Sequence, residues 1–339
     1  MASTNRASKS TDIAFKSLLD GVADPCVHCG FCLPTCASYR VLGTEMDSPR
    51  GRIHTLKALG KGELEMDATV ASHFDSCLGC FACVTACPSG VRYDQLIEAT
   101  RPILNDSQLR TPCANGFRQL LLQLLPYPKR LRAMLQAARF YSGTPFQAAI
   151  RGSGILHAFG SELSSMEALL PPLTNTSFQD KFELVNPAIG PKRGRVGLLL
   201  GCVQRCFDPE VNYSTIAILQ ANGFEVIIPQ SQGCCGAITH HQGQIKHTEK
   251  LAKQLIKDFN SATEIENKIG TEPLDAILVA ASGCGHTLKA YESILGKENS
   301  FHAQVFDVHE FLSIHGLSNN FRNKLQPLRH SNGNQASED

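Results

Sequence analysis

The sequence predicts a multi-domain α+β protein. An N-terminal α-helical unit is built around clustered cysteines, a basic helical linker follows, and an α/β cysteine-rich domain comes last. Three observations carry that expectation. A four-cysteine motif occurs twice with identical spacing, at Cys26–Cys36 and Cys77–Cys87. A stretch without Asp or Glu runs from Gln108 to Ser161. From Lys192 onward, short apolar runs alternate with helical patterns, and cysteines follow three of those runs. The expected divisions are a disordered N-terminus (1–20), the cysteine-motif unit (21–107), the linker (108–190), the α/β domain (191–317) and a disordered tail (318–339).

Composition narrows the function classes. A chain of 339 residues with 42% hydrophobic residues fills more than one core. Its 32 Lys plus Arg against 31 Asp plus Glu leave no whole-chain attraction for nucleic acid. The opening "MASTNRASKSTD" is polar and lacks an apolar h-region. The apolar run "AILVAA" (276–281) is far too short to span a bilayer. A cytoplasmic protein, peripheral at most on the cytoplasmic face of a membrane, is expected. Fourteen cysteines in such a compartment point to metal and away from disulfides.

The spacing narrows the metal. Cys26, Cys29, Cys32 and Cys36 follow C-x2-C-x2-C-x3-C, and Cys77, Cys80, Cys83 and Cys87 repeat it, with Pro88 after the last. A cubane cluster offers four iron corners, each taking one thiolate. A C-x2-C-x2-C loop wraps three of them, and in two-cluster ferredoxins the fourth cysteine ligates the other cluster. Two 4Fe-4S clusters are therefore expected, one on Cys26, Cys29, Cys32 and Cys87, the other on Cys77, Cys80, Cys83 and Cys36. Zinc is the weaker alternative, because its motifs use two C-x2-C pairs and have no use for a third cysteine at the same pitch. Ala37 stands where the second motif has its proline, which alters the exit of the chain and removes no ligand.

Between the motifs, Asp47 or Ser48 is placed to cap a helix that begins near Pro49. Ile53, Leu56 and Leu59 continue it at helical spacing. The motifs thus fall on loops between helices, in a ferredoxin-type unit. Arg50, Arg52 and His54 have two readings of equal weight: groups that soften the negative charge of reduced clusters, or solvated helix charges.

The acid-free stretch holds Arg110, Arg118, Lys129, Arg130, Arg132, Arg139 and Arg151. Its segments "FRQLLLQLL" and "KRLRAMLQAARF" suit amphipathic helices. Linker helices packed between domains are the favoured reading, and docking on anionic lipid is the other. Cys113 stands alone and reads as structural.

In the α/β part, "RVGLLLGC" ends at Cys202, and Asp208-Pro209 opens a helix through Ile218. "GFEVIIPQ" precedes Cys234 and Cys235, and the polar helix "GQIKHTEKLAKQLIKDF" follows. "DAILVAA" precedes Cys284, then a helix near Thr287 to Leu295 and the strand "AQVFDV". Cysteines just after strands lie on the edge where open α/β sheets bind ligands. Cys202, Cys234, Cys235 and Cys284 are thus a third candidate site, whose convergence spacing does not prove. Cys206 reads as a buried free thiol in preference to an extra ligand. His28, His240 and His241 sit near these motifs and receive no role.

With those residues in place, the chain resembles the iron–sulfur subunit of glycolate dehydrogenase (glycolate oxidase). "CVHCGFC…TC", "EMDSPRGRI", "CLGCFACVTACPSGVRY", "GCV", "GCCGA" and "ASGCG" occur in the order of that family, over about Ala23 to Leu317. The resemblance implies a two-cluster ferredoxin domain followed by a CCG domain. It also implies an electron-transfer role, as the repeat-containing, metal-binding subunit of an oxidoreductase that turns over no substrate alone. The partner would be an FAD-containing subunit that oxidises glycolate to glyoxylate, with FAD only there, and the acceptor a membrane quinone or another carrier. No nucleic acid is involved. Consistently, neither a G-x-G-x-x-G after a strand nor a phosphate loop is found. The alternatives are the corresponding subunit of a lactate, glycerol-3-phosphate or heterodisulfide-reductase-like complex, and a non-catalytic iron–sulfur redox sensor. Two departures from the pattern stand out. Ala281 occupies the place of a thiol in the heterodisulfide version of the CCG motif. The polar "NNFRNKLQPLRHSNGNQASED" occupies the place where relatives begin a second CCG repeat.

Overall fold

A computed structural model describes residues 19–106, 109–158, 161–168, 178, 181–267, 273–296 and 301–325. The chain divides into two compact units: Met1–Gln123 with Gly236–Glu249, and Leu124–Cys235 with Lys250–Asp339. Among the described residues no helix is long and apolar enough to cross a membrane.

The first unit is helical. A π-helical turn at Leu19–Ala23 is followed by α1 (Ala37–Leu42), a 3-10 turn at Glu45–Asp47, α2 (Pro49–Lys61), α3 (Ala68–Asp75), α4 (Ala82–Thr85), α5 (Tyr93–Asp106) and α6 (Pro112–Leu124). Local chemistry sets the starts of the two helices that separate the motifs. Ser48 caps α2, its Oγ accepting the Gly51 N–H, with Pro49 at the first helical position. Asp67 caps α3 through the Val70 N–H. The first motif lies on the loop before α1, as expected; the second follows α3 and is a loop except at Cys83, which lies in the short helix α4. The core is built from Ile53 and Leu56 of α2, Val70, Ala71 and Phe74 of α3, and Tyr93, Leu96, Ile97 and Leu104 of α5. Cys26, Cys32, Cys77 and Cys87 pack against it.

The second unit carries α7 (Pro128–Arg139), α8 (Pro145–Ser153), α9 (Ile155–Ala158) and α10 (Ser161–Ala168), then a sheet that has five strands among the described residues. The strands are β1 (Val185–Asn186), β2 (Gly194–Leu199), β3 (Phe224–Ile227), β4 (Ala276–Val279) and β5 (Gln304–Asp307). Their order is β1-β3-β2-β4-β5, parallel throughout except for the antiparallel edge strand β1. Val196 pairs with Val226 on one side and Ala276 on the other, so β2 is the strand at which the chain reverses its direction across the sheet. Helices α11 (Gln204–Phe207) and α12 (Pro209–Ala221) connect β2 to β3. Then come α13 (Ala237–His241), α14 (Ile245–Asn267), α15 (Ser282–Lys289), α16 (Tyr291–Leu295), α17 (Val308–His315) and α18 (Asn319–Arg322). The sheet core holds Val196, Leu198, Val226, Ile228, Ala276 and Leu278, covered by Ile216, Leu219 and Phe311.

Four expectations change. The 108–190 linker is not one piece: α6 as far as Gln123 belongs to the first unit and α7 onward to the second. The segment Gly236–Glu249, expected within the α/β domain, packs in the first unit. There Arg118 donates from Nε to Gln242 Oε1 at 2.8 Å and from Nη2 to the Gln242 carbonyl. His240 Nε2 lies 3.2 Å from Glu98 Oε1, and a Cβ on Gly243 would lie 2.5 Å from the Arg101 carbonyl carbon. The helix expected near Thr287 begins at Ser282, so Cys284 lies in its first turn. The tail expected to be disordered starts with α18, capped by the Ser318 hydroxyl on the Phe321 N–H. Residues 1–18 and 326–339 of the two expected disordered termini lie outside the described residues.

Candidate metal centres

The two motifs are wound alike. At the third position of each, His28 and Gly79, φ is +55° and +64°. At the fifth, Gly30 and Phe81, it is +87° and +57°. Left-handed backbone is ordinary for glycine and costs a β-carbon-bearing residue about 1–2 kcal/mol. His28 and Phe81 adopt it nonetheless, because only that turn brings three cysteines round one centre.

Two cavities result. One, with an empty volume of ≈ 420 Å³ partly open to solvent, is lined by Cys26, Cys29, Cys32, Cys83 and Cys87. The other, of ≈ 340 Å³, is lined by Cys36, Cys77, Cys80 and Cys83. Each is thus lined by thiols of both motifs, and Cys83 is common to the two. Tyr93 borders both.

Two of these thiols are kept protonated by burial until a metal takes the place of their protons. Burial pushes the Cys83 thiol up to about 12, reinforced by the neighbouring Cys77, Cys36 and Cys32. Burial also raises Cys32, against backbone hydrogen bonds and the charge of Arg50. Donors already point at the second set, Gly79 N–H at 3.4 Å and Tyr93 O–H at 3.8 Å from Cys77 Sγ; Ser38 Oγ lies 3.2 Å from Cys36 Sγ while it donates to the Asp47 carbonyl at 2.9 Å. Arg52 lines the same cavity with Nη1 buried and no acceptor in hydrogen-bonding geometry. Four soft donors and an unsatisfied cationic N–H around one space fit a negatively charged polynuclear iron–sulfur group. Among the described residues, no three His, Cys, Asp or Glu side chains come together in the manner of a single bound ion. A cage with one thiolate per corner asks for a wider spread.

In the second unit the four remaining candidate thiols converge. Cys202 Sγ is 3.2 Å from Cys234 Sγ. Hydrogen bonds with Cys202, then Cys235, then burial, hold the Cys234 thiol well above its usual range. The Cys284 side chain hydrogen-bonds with Cys235, which raises it likewise. They sit beyond the carboxyl ends of β2, β3 and β4, beside the reversal at β2. Gln232 ties two of these loops together, accepting the Leu200 N–H at 2.9 Å and donating to the Leu198 carbonyl at 3.2 Å. The buried Tyr291 donates to the Cys235 carbonyl at 2.6 Å. Cys206 is elsewhere, fully buried with Leu131 and Leu135 of α7. The side chain of Cys113 lies outside the described residues.

Sequence reasoning missed Tyr93, Ser38, Asp47 and Arg101 as parts of the site. Ser38 is two residues from Cys36 and within reach of sequence reasoning; Tyr93, Asp47 and Arg101 become neighbours only through a backbone path that returns α5 and the 3-10 turn to the motifs, and no spacing signals that. Arg101 donates from Nη2 to the Cys77 carbonyl at 2.5 Å.

Comparison with known proteins agrees with this layout. Residues 22–91 match the family model described as "4Fe-4S dicluster domain". Residues 114–170 match "Glycolate oxidase iron-sulfur subunit, linker region", and 196–289 match "Cysteine-rich domain". The chain is 34% identical over 295 residues to the probable glycolate oxidase iron-sulfur subunit of Bacillus subtilis, covering 86% of this chain and 64% of that one. It is 34% identical over 276 residues to the glycolate oxidase iron-sulfur subunit of Escherichia coli, covering 81% and 60%. A fumarate reductase (CoM/CoB) subunit of Methanothermobacter marburgensis is 31% identical over 127 residues, 37% of this chain and 23% of that one. The chain thus spans less than two thirds of the length of the two glycolate oxidase relatives. No solved structure matches. In order along the chain stand a 4Fe-4S dicluster domain, the linker region of glycolate oxidase iron-sulfur subunits and a Cysteine-rich domain, and the chain is a relative of those subunits over most of its length.

Proposed function

We propose that this chain is the iron–sulfur electron-transfer subunit of a glycolate-oxidising complex, holding 4Fe-4S clusters on Cys26, Cys29, Cys32 and Cys87 and on Cys36, Cys77, Cys80 and Cys83. The observation that carries the reading is the pair of cavities, each lined by thiols of both motifs, with Cys87 beside Cys26, Cys29 and Cys32 and Cys36 beside Cys77, Cys80 and Cys83. Bound there, the clusters supply one-electron transfer without bond chemistry on a substrate. The residues themselves fix that pair: the left-handed turns aim the thiols, the Tyr93 ring fills the space between the two sets, and the core helices exclude water behind them. Glycolate oxidation belongs to an FAD-containing partner, and a quinone or another carrier takes the electrons. The extent of the matches supports this assignment over a lactate complex: the glycolate oxidase subunits match over more than 80% of this chain, and lactate utilization proteins over less than a quarter. The four-thiol set of the second unit is a candidate for a further centre on Cys202, Cys234, Cys235 and Cys284, since a cation there displaces protons the thiols otherwise keep.

Anaerobically purified protein should carry about eight iron atoms and as many labile sulfides on the two ferredoxin-type sets, with visible absorption that dithionite bleaches. A colourless or zinc-loaded folded protein would overturn the reading. Iron beyond that amount, lost in Cys234→Ser/Cys235→Ser, would place a centre in the second unit. A native pull-down should recover a flavoprotein that reduces the clusters with glycolate.

A cytoplasmic, membrane-peripheral location is part of the proposal, with a restriction. Leu131 and Leu135 of α7 are buried within the second unit, so its apolar stripe is already in use. Lys129 and Arg130 are exposed, and they suit adsorption to an acidic surface without insertion. Reversing their charge together with that of Arg132 should weaken binding of the complex to anionic vesicles at low salt by at least about a hundredfold, at about 1 kcal/mol for each of three charges near the surface. Unchanged binding removes the lipid contact.

A further inference from the structure

The two cysteine sets differ in their surroundings, and the difference centres on residues two apart in one helix. Arg50 and Arg52 both belong to α2. A helix turns about 100° per residue, so they leave it on nearly opposite sides. Arg50 lines the cavity of the Cys26 set from its more exposed side, its Nη1 donating to the His28 carbonyl at 2.9 Å. Its Nε binds Glu45 Oε1 at 2.6 Å, with the two side chains 28% and 47% exposed. That charge is paired and screened by water. Arg52 goes inward and is 1% exposed. Its Nε donates to the His73 carbonyl at 2.6 Å, and its Nη2 to Ser38 Oγ at 3.1 Å and Ser76 Oγ at 2.8 Å. Asp47 Oδ1 lies 3.5 Å from Nη2. The guanidinium lines the cavity of the Cys36 set and the Asp47 side chain does not. The nearer charge is positive, and it acts through a medium that screens poorly.

Two further features point the same way. Arg101, 5% exposed, binds the Cys77 carbonyl and holds its own Nη1 buried without an acceptor in hydrogen-bonding geometry. The Gly79 N–H and the Tyr93 hydroxyl approach the sulfur of Cys77. Hydrogen bonds to sulfur and nearby positive charge raise a cluster's reduction potential, because reduction adds a negative charge.

We infer that Arg52 is a positioning and potential-setting residue for the Cys36, Cys77, Cys80 and Cys83 set, making it the higher-potential one of the pair. An electron delivered to the unit then comes to rest on that set, and the Cys26 set passes it on. The inference depends on both sets holding clusters, as proposed above.

The test is an anaerobic redox titration followed by electron paramagnetic resonance, preceded by iron and sulfide analysis. Two loaded clusters establish the premise; their absence condemns the functional reading itself. Given two, the upper midpoint should belong to the signal altered in Cys80→Ser. Arg52→Gln should lower that midpoint by at least about 59 mV, a tenfold change for one electron. Arg52→Lys, which keeps the charge, should restore at least half of the fall, and Arg50→Gln should move neither midpoint by that amount. Assignment of the upper midpoint to the Cys26 set, an equal fall in both, or no fall would overturn the inference. If Arg52→Gln fails to load iron, Tyr93→Phe, which removes a hydroxyl donor to Cys77 Sγ, decides: a selective fall in the Cys80-linked midpoint supports the assignment, and no fall defeats it.

Discussion

Cys87→Ser should abolish the same spectroscopic signal as Cys29→Ser, and Cys36→Ser the same one as Cys80→Ser. Each substitution should take the iron content from about eight atoms per chain to about four. The expectation runs against sequence proximity: Cys87 is four residues from Cys83 and far along the chain from Cys29. It rests on the lining of the two cavities, where Cys87 joins Cys26, Cys29 and Cys32, and Cys36 joins Cys77, Cys80 and Cys83. A cluster has four corners to anchor, so the loss of one thiolate leaves an open iron that water and acceptors attack. Electron delivery to an acceptor should then fall at least tenfold, while flavin reduction by glycolate in the partner stays intact. Cys83 borders both cavities, so Cys83→Ser should disturb both signals. If Cys87→Ser instead paired with Cys80→Ser, each motif would close its own cluster, and the cavity assignment would fail.

The eight candidate ligands are legible in the sequence because a repeated C-x2-C-x2-C-x3-C is the spacing of cluster-binding loops. The parallel strands β2 to β5 are legible too, since buried strands read as short apolar runs bounded by glycine and polar residues. What escapes is decided at long range. The two-residue edge strand β1 carries no periodicity, and its cause is the pairing of Val185 with Ile227. The start of α15 is hidden by Gly283 and Gly285, which argue against helix locally. The strand end and the cysteine loops override them. The segment Gly236–Glu249 continues the CCG motif without a break, yet side-chain bonds from Arg118 and the backbone gap filled by Gly243 bind it into the first unit.

Arg50 and Arg52 are the instructive case. From sequence they are interchangeable helix charges. Their separation into a solvated ion pair and a buried guanidinium follows from which face of α2 meets the core, and Ile53 and Leu56 identify that face only after the packing is known. The four-thiol set of the second unit lies between these extremes. Its residues and strand ends are readable, whereas the 3.2 Å approach of Cys202 to Cys234 is not.

Gly51→Ala should destabilise the first unit by about 1–3 kcal/mol, although alanine is the better helix former by about 1 kcal/mol. A Cβ at Gly51 would lie 2.0 Å from the Glu45 carbonyl oxygen and 2.8 Å from its carbon. That contact is with backbone, and the backbone is held. The Ser48 N–H donates to the same carbonyl at 3.0 Å, and Arg50 fastens the Glu45 side chain. Relief therefore requires the 3-10 turn and the first turn of α2 to separate. The Ser48 cap on the Gly51 N–H goes with them, and so does the alignment of Asp47 with Arg52. Gly116→Ala in α6 is the control, because nothing lies within 4 Å of a Cβ there. It should leave the unit unchanged or stabilise it by up to about 1 kcal/mol. Thermal loss of cluster absorbance reports the first unit specifically: the midpoint should fall in Gly51→Ala and hold in Gly116→Ala. A fall in temperature without a selective fall in the upper redox midpoint would show that the clash is absorbed short of Arg52. A fall in both would tie the glycine of "PRGRI" to the electron-holding end of the pair, through the first turn of α2, in which Gly51 directly precedes Arg52.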